Sequence, residues 1–180
     1  DLLPNGIAAM EHSTAQFAKG RSAIPDQHGE FFIAALVEAL DVYRDLVPRA
    51  QYQLWRSRLA TPINSLIGPN RNNWMTYAMK GEWLRYKHGL VSHQGAVAFI
   101  EKCWKTEQRD RIVPTPFHLY HDRSSDPDTL SVEVVGRGNL LALVANGYDG
   151  PSAAEIRDAV YEGSRTALLL QDPTGQLPAN

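Results

Sequence analysis

The chain has 180 residues, a formal net charge of −2, and a composition that is 43% hydrophobic and 21% charged. These values are typical of a folded globular domain and exclude a disordered chain. The charge argues against a nucleic-acid-binding protein, because phosphate recognition needs an excess of Lys and Arg. The apolar runs are much shorter than the roughly 20 residues that cross a membrane. The single cysteine, Cys103, excludes an internal disulfide, and we expect it to be a buried structural thiol.

Apolar residues recur at helical spacing along most of the chain, and turn residues separate these stretches. The pattern predicts helices over residues 5–19, 30–46, 48–60, 74–88, 93–108 and 152–171, with a long polar loop over 109–131. Asn5 suits the N-cap of the first helix, and Gly20 suits its end. Pro48 suits the first turn of the third helix.

The segment 131–146 fits two interpretations. Residues 130–135 alternate like a strand, whereas the apolar positions from 132 to 144 also fit a helix that begins at Asp128. Because its neighbours are helical, we predict a helix. Gly136 and Gly138 would each cost about 1 kcal/mol there relative to alanine. We therefore expect these glycines to allow close packing or the approach of a ligand.

These elements predict an all-α fold of antiparallel helical hairpins that recur about every 40–45 residues, as in an α/α array. We expect residues 1–180 to form a single helical domain. The start without Met and the end in a loop suggest a segment of a longer protein. The long connections, 20–29, 60–73 and 109–130, would lie at one end of the array, where a site is expected.

The start of the fourth helix concentrates side chains that can bind a polar ligand. Its asparagines, with Arg71 beside them, can hydrogen-bond a carboxylate or a sugar hydroxyl without carrying charge; they are Asn70, Asn72 and Asn73. Trp74 offers an apolar plate for a sugar ring. The alternative is structural, because asparagine also suits turns and N-caps and tryptophan also suits the core.

The same helix carries a second set of candidates on one face, at spacings of three and four: Trp74, Tyr77, Gly81, Leu84 and His88. A Tyr–His pair can act as acid and base if a neighbouring cation lowers the pKa of the phenol. The alternative is an aromatic core face with a solvated Lys and Arg side.

The loop segment 118–123 holds acid–base side chains within six positions, namely His118, Tyr120, His121, Asp122 and Arg123. His118, His121 and Asp122 could supply two or three metal ligands. No second ligand set follows, so we predict no metal and no cofactor. The other loop histidine, His28, is expected to be solvated. Motifs of serine hydrolases, zincins and thiol enzymes are absent from the sequence.

Asn72-Asn73-Trp74, opening a helix after a loop, resembles an element of the (α/α)-toroid catalytic domains of polysaccharide lyases. The chondroitin, hyaluronan and heparinase-type lyases are members of this group. The resemblance implies that this chain is part of such a toroid and cleaves a uronic-acid-containing glycan by β-elimination. It also implies that the remaining helices lie outside this chain and pack against it.

The resemblance assigns roles to individual residues. Asn73, with Asn72, would neutralise the uronate carboxylate, and Trp74 would form a subsite platform. Tyr120 or His121 would be the base or the acid. Arg71 or Arg123 would assist. The implied partner is a polysaccharide or oligosaccharide, with no nucleic acid and no membrane, and the implied location is secreted or periplasmic.

Two alternatives remain open. A glycoside hydrolase on an (α/α) barrel needs two carboxylates facing one bond, and Glu82 and Asp122 are the available pair. Glu82 sits among basic residues, so we expect it to be ion-paired. The second alternative is a non-catalytic helical-repeat module that binds a glycan or a peptide.

Overall fold

The computed structural model describes residues 2–70, 72–122 and 130–176. All the regular secondary structure in these ranges is helical. Its helices are α1 (Leu3–Lys19), α2 (Glu30–Tyr43), α3 (Arg49–Leu59), α4 (Trp74–Lys87), α5 (His93–Cys103), α6 (Leu130–Ala145) and α7 (Ala153–Leu169). Within the described ranges there is no strand, which confirms the predicted all-α class. The arrangement as part of a toroid stays a prediction.

Several helix ends differ from the prediction. α1 begins at Leu3 rather than Asn5, because Pro4 occupies the first turn, where its missing N–H is not needed. Gly20 ends α1 as predicted, with a φ of 86°. The predicted helix over 93–108 is α-helical to Cys103 and continues as a π-helical turn, Trp104–Gln108.

The predicted helix over 131–146 is confirmed as α6, and its predicted start at Asp128 lies outside the described residues. Gly136 permits close packing, since a Cβ there would lie 3.0 Å from the ring of Tyr120. Close packing is wrong for Gly138, which is exposed and has no described atom of another segment within 4 Å of its Cβ position, while the approach of a ligand there stays a prediction.

The chain divides into two compact units. Unit 1 contains Asp1–Pro69 and Gly81–Ala96, and unit 2 contains Asn70–Lys80 and Val97–Asn180. The first half of α4 therefore belongs to unit 2 and the second half to unit 1. The predicted single domain over 1–180 stays a prediction.

Unit 1 is built on α3, which packs against α1 and α2. The Glu11 carboxylate on α1 accepts hydrogen bonds from Trp55 Nε1 at 2.7 Å and from the Arg58 guanidinium at 2.5 Å. These bonds join α1 to α3 over a buried core that includes Phe17, Ile33, Val37, Leu40, Trp55, Leu59, Leu66 and Trp83.

Unit 2 is built on α6, α7 and the segment after α5. Its buried core includes Met75, Met79, Ile100, Trp104, Ile112, Leu140, Leu143, Ile156 and Val160. Cys103 is 4% exposed, which confirms the predicted buried thiol. Glu155 on α7 accepts hydrogen bonds from Trp104 Nε1 and Arg109 Nε, each at 2.8 Å, and so joins α7 to this segment.

Glu101 on α5 holds the segment that leads into α7. Its carboxylate accepts hydrogen bonds from the Tyr148 hydroxyl at 2.7 Å and from the Ser152 N–H and hydroxyl at 2.7 and 2.8 Å. Lys105 Nζ lies 2.9 Å away. Burial alone would raise the pKa of Glu101, but the bonds from Lys105, Tyr148 and Ser152 outweigh it and lower the pKa to about 2.

Substitution by alanine should have opposite effects on stability at two glycines that lie inside helices of unit 2. A Cβ at Gly163 would lie 2.6 Å from the His118 carbonyl oxygen, whereas Gly138 has open space. We expect Gly163→Ala to lower the free energy of unfolding and Gly138→Ala to raise it by about 1 kcal/mol, because alanine has the higher helix propensity. Urea unfolding followed by circular dichroism measures both. Equal effects of the two substitutions would contradict this account of Gly163.

Glu101 should make stability depend on pH in the acidic range. Because its pKa is lower in the folded than in the unfolded chain, its stabilisation is present above about pH 4.5 and disappears as the pH falls toward about 2. Glu101→Gln should therefore cost about 1–3 kcal/mol at neutral pH and progressively less in acid. Urea unfolding midpoints of the Glu101→Gln variant, measured between neutral pH and about pH 2, test this prediction. Glu38→Gln, at an exposed position, is the control. A loss that does not change with pH would refute it.

Candidate functional site

The start of α4 is capped by a residue that directly precedes it in the chain. Asn72 Oδ1 accepts a hydrogen bond from the Trp74 N–H at 3.3 Å, so Asn72 serves as an N-terminal cap. Asn73 is used differently, because its bonds to the described residues run through its backbone. Its carbonyl oxygen accepts from the Thr76 hydroxyl at 2.6 Å. The structural alternative thus explains Asn72, while the side-chain amide of Asn73 is not needed for the cap.

Asp122 connects the two clusters that the sequence analysis singled out. Its Oδ1 accepts a hydrogen bond from the Asn73 N–H at 2.6 Å, and both residues are buried. The Arg111 guanidinium lies 3.6 Å from the same oxygen and also donates to the Asp122 carbonyl. The negative charge of Asp122 is therefore compensated. This contact brings residues 72–74 beside residues 120–122 within unit 2.

Tyr120 is a buried part of the scaffold, with 2% of its surface exposed. Its hydroxyl donates to Gln108 Oε1, and Gln108 Nε2 donates to the Asn72 carbonyl at 3.2 Å. Its N–H donates to Glu133 Oε2 at 2.5 Å. The phenol therefore helps to hold the start of α4. Its role in proton transfer stays a prediction.

His121, next to Tyr120, is exposed, whereas its backbone N–H is fixed by a 2.7 Å bond to the Arg111 carbonyl. Trp74 and Tyr77 are half-buried. The Lys80 ammonium lies 5.4 Å from the centre of the Tyr77 ring, within cation–π range. Aromatic, cationic and imidazole groups are thus accessible in unit 2.

Two other predicted residues, Arg71 and Arg123, lie outside the described residues. His88 belongs to unit 1, where its Nδ1 lies 3.5 Å from Asp41 Oδ1. Tyr77 thus contacts Lys80, and His88 contacts Asp41. The Tyr–His acid–base pair stays a prediction.

The expected solvated Lys and Arg side of α4 is wrong at Arg85, which is 1% exposed. Arg85 donates to Glu82 Oε2 at 2.7 Å and to the Thr61 carbonyl at 2.6 Å, and these acceptors make its burial possible. Burial raises the pKa of Glu82 and lowers that of Arg85, and the ion pair offsets part of each shift. The expected ion pair of Glu82 is confirmed.

Unit 1 contains a histidine–carboxylate pair that was not expected from the sequence. His28 Nδ1 lies 2.8 Å from Glu30 Oε1, and the Gly68 N–H donates to Glu30 Oε2 at 3.0 Å. The Glu30 side chain is 3% exposed and that of His28 17%, so the expectation of a solvated His28 is wrong. The available signal was a glutamate two positions after the histidine, in the first turn of α2.

The structure also bears on metals and membranes. Among residues 2–70, 72–122 and 130–176, no group of three or more His, Cys, Asp or Glu side chains could hold a metal ion. His118, His121 and Asp122 therefore do not form such a group. No helix in these ranges is long and apolar enough to cross a membrane. The candidate site is thus a set of amide, aromatic, imidazole and cationic groups.

The contribution of the Asp122–Asn73 hydrogen bond to stability should be measurable. Asp122→Ala leaves the buried Asn73 N–H without an acceptor and removes the carboxylate beside Arg111, so we expect a loss of about 2–3 kcal/mol. Asp122→Asn keeps one acceptor oxygen and should cost less. Hydrogen exchange at the Asn73 amide should accelerate in the alanine variant more than in the asparagine variant.

The exposed Asp110→Ala provides the control for charge removal in the same segment, and we expect it to leave both stability and exchange unchanged. Equal exchange at Asn73 in all three variants would show that Asp122 does not hold the start of α4.

Comparison of the chain with protein-family models, with curated proteins and with solved structures found no match.

Proposed function

We propose that the chain is part of a polysaccharide lyase that cleaves a uronic-acid-containing glycan by β-elimination. The observation that carries the proposal is the 2.6 Å bond from the Asn73 N–H to Asp122. It joins the Asn72-Asn73-Trp74 element to the segment that holds Tyr120 and His121. A lyase of the resembled type needs these two elements together. A secreted or periplasmic location belongs to the same proposal.

The substrate carboxylate is assigned to Asn73. Its backbone is fixed by Asp122 and Thr76, so its side-chain amide is held by a rigid support. An amide can donate to a carboxylate and stabilise the charge that develops as the C5 proton leaves. The half-buried Trp74 next to it provides an apolar surface for a sugar ring.

The proton chemistry is assigned first to His121. β-Elimination needs a base that takes the C5 proton and an acid that protonates the departing 4-linked oxygen, and a histidine can serve in this way near neutral pH. The exposed side chain of His121 can reach a substrate, whereas the phenol of Tyr120 is buried against Gln108. We therefore assign Tyr120 a positioning role in the proposed reaction.

The glycoside hydrolase alternative is weaker because its two carboxylates already have structural partners. Glu82 is bound by Arg85 in unit 1, and Asp122 accepts the Asn73 N–H in unit 2. A hydrolase needs one carboxyl group as acid and a second as base or nucleophile. Neither group is available for that role without losing a buried contact.

Turnover of uronic-acid polymers tests the proposal. The full-length polypeptide that contains this chain would be incubated with polygalacturonate, alginate, hyaluronan and chondroitin, and the unsaturated product would be followed by its near-ultraviolet absorbance. We expect at least one polymer to yield this product. Asn73→Ala should then lower kcat by about 100-fold, because an amide that stabilises developing charge is removed. The neighbouring, exposed Asn70→Ala is the matched control and should retain activity.

Two histidine variants identify the base. We expect His121→Ala to lower kcat by about 100-fold or more and to remove the lower limb of the pH–rate profile, while His28→Ala retains activity. The reverse result would leave the lyase proposal standing and overturn the assignment to His121. Saturable binding of a polymer without any unsaturated product would overturn the lyase proposal and support the non-catalytic module.

A further inference from the structure

Unit 1 contains a cavity of about 380 Å³ between α1, the turns that follow it, and α2. We call it the α1–α2 cavity. It is lined by His12, Ser13, Gln16, Phe17, Ala23, Ile24, Pro25, Phe32, Ala35 and Leu36. None of these residues belongs to the proposed lyase site. The cavity therefore needs its own explanation.

One wall of the cavity is apolar and carries aromatic side chains. Phe17 and Ile24 are each 3% exposed and form part of the fixed core. Phe32 is 39% exposed, and its ring would lose contact with water if a ligand entered. Two phenyl rings and an isoleucine favour an aromatic or alicyclic group, because such groups bury apolar area and stack on aromatic side chains.

The other wall is polar and comes from one helix. Gln16 lies three positions after Ser13 and four after His12 on α1, so the three side chains lie on neighbouring positions of the helix surface. They offer an imidazole, a hydroxyl and an amide, and the amide oxygen of Gln16 also accepts a bond from Lys19 at 3.5 Å. This wall would orient a ligand that has one polar edge.

The walls are held in place by contacts outside the cavity. Glu11, next to His12, is bound by Trp55 and Arg58 on α3. At the start of α2, the Gly29 N–H donates to the Leu66 carbonyl at 3.0 Å. These contacts fix the polar wall and the start of α2, so a ligand would meet a preformed site rather than one that must be ordered.

Charge and size restrict the occupant. No Asp, Glu, Lys or Arg lines the cavity, and Lys19, which donates to Gln16 Oε1 at 3.5 Å, is exposed to solvent. A charged ligand would therefore find no ion-pair partner among the lining residues. The volume lies at the small end of the range for small-molecule sites. A helix about 10–12 Å in diameter would fill this volume in less than one turn, so a helix of another protein does not fit.

From these observations we propose that the α1–α2 cavity binds a small, uncharged molecule of one or two rings whose polar edge faces His12, Ser13 and Gln16. This site is independent of the proposed lyase reaction. Either proposal can fail while the other stands.

Indole is a suitable probe because it is uncharged, has two fused rings, and carries one N–H donor. Titration of the full chain with indole, followed by saturation-transfer NMR, should give saturable binding. Ala35→Phe, which fills the cavity from an exposed position, should weaken binding at least tenfold. Ala9→Phe is the matched control, since Ala9 is exposed on α1 and does not line the cavity.

Two comparisons test the chemistry of the walls. Indene has the shape of indole without the N–H, so Gln16→Leu should weaken indole binding at least threefold and leave indene binding unchanged. Indole-3-carboxylate carries a charge and should bind at least tenfold more weakly than indole. Thermal unfolding of each variant confirms that the fold is retained.

Three results would overturn the proposal. The first is the absence of saturable binding by indole and indene, as expected if the cavity only receives another part of the polypeptide. The second is binding that Ala35→Phe leaves unchanged in a folded variant. The third is equal affinity for indole and indole-3-carboxylate.

Discussion

The hydrogen bond between the Asn73 N–H and the Asp122 carboxylate supports the whole candidate site. The first N–H groups of a helix have no partner within the helix, and a buried helix start must find acceptors elsewhere. Asp122 provides one from a loop 49 residues further along the chain. That acceptor carries a negative charge, and the guanidinium of Arg111 beside it compensates the charge. The helix start, the loop and the guanidinium thus form one arrangement.

Carboxylates also join distant segments elsewhere in the chain, whether they are buried or partly exposed. Glu11 connects α1 to α3, Glu30 connects α2 to the Gly68 backbone, and Glu101 connects α5 to Ser152. Each accepts hydrogen bonds that truncation of the side chain would remove, so these acids are part of the scaffold. This use of carboxylates explains why acidic side chains are poor candidates for catalysis here.

The accessible groups are of a different chemical kind. Trp74, Tyr77 and His121 offer aromatic surface and an imidazole. Beside them lies Asn73, a buried residue whose side-chain amide is not used by the helix cap. Neutral amides with an imidazole suit the removal of a proton next to a carboxylate better than they suit glycoside hydrolysis, which needs two carboxyl groups. The α1–α2 cavity differs again, since its lining carries no acidic side chain and no Lys or Arg.

The amino-acid sequence by itself determined the all-α class, the approximate position of each helix, the burial of Cys103 and the ion pair of Glu82. These features depend on periodicity and on residues three or four positions apart, which the sequence displays directly. Only the tertiary structure decided that Tyr120 and Arg85 are buried, that the Gly68 N–H binds the glutamate beside His28, and that α1 and α2 line a cavity. Such features depend on distant partners, as with the Thr61 carbonyl that binds Arg85 from 24 positions away. Local spacing carries no information about those partners, because they meet only when the chain is folded.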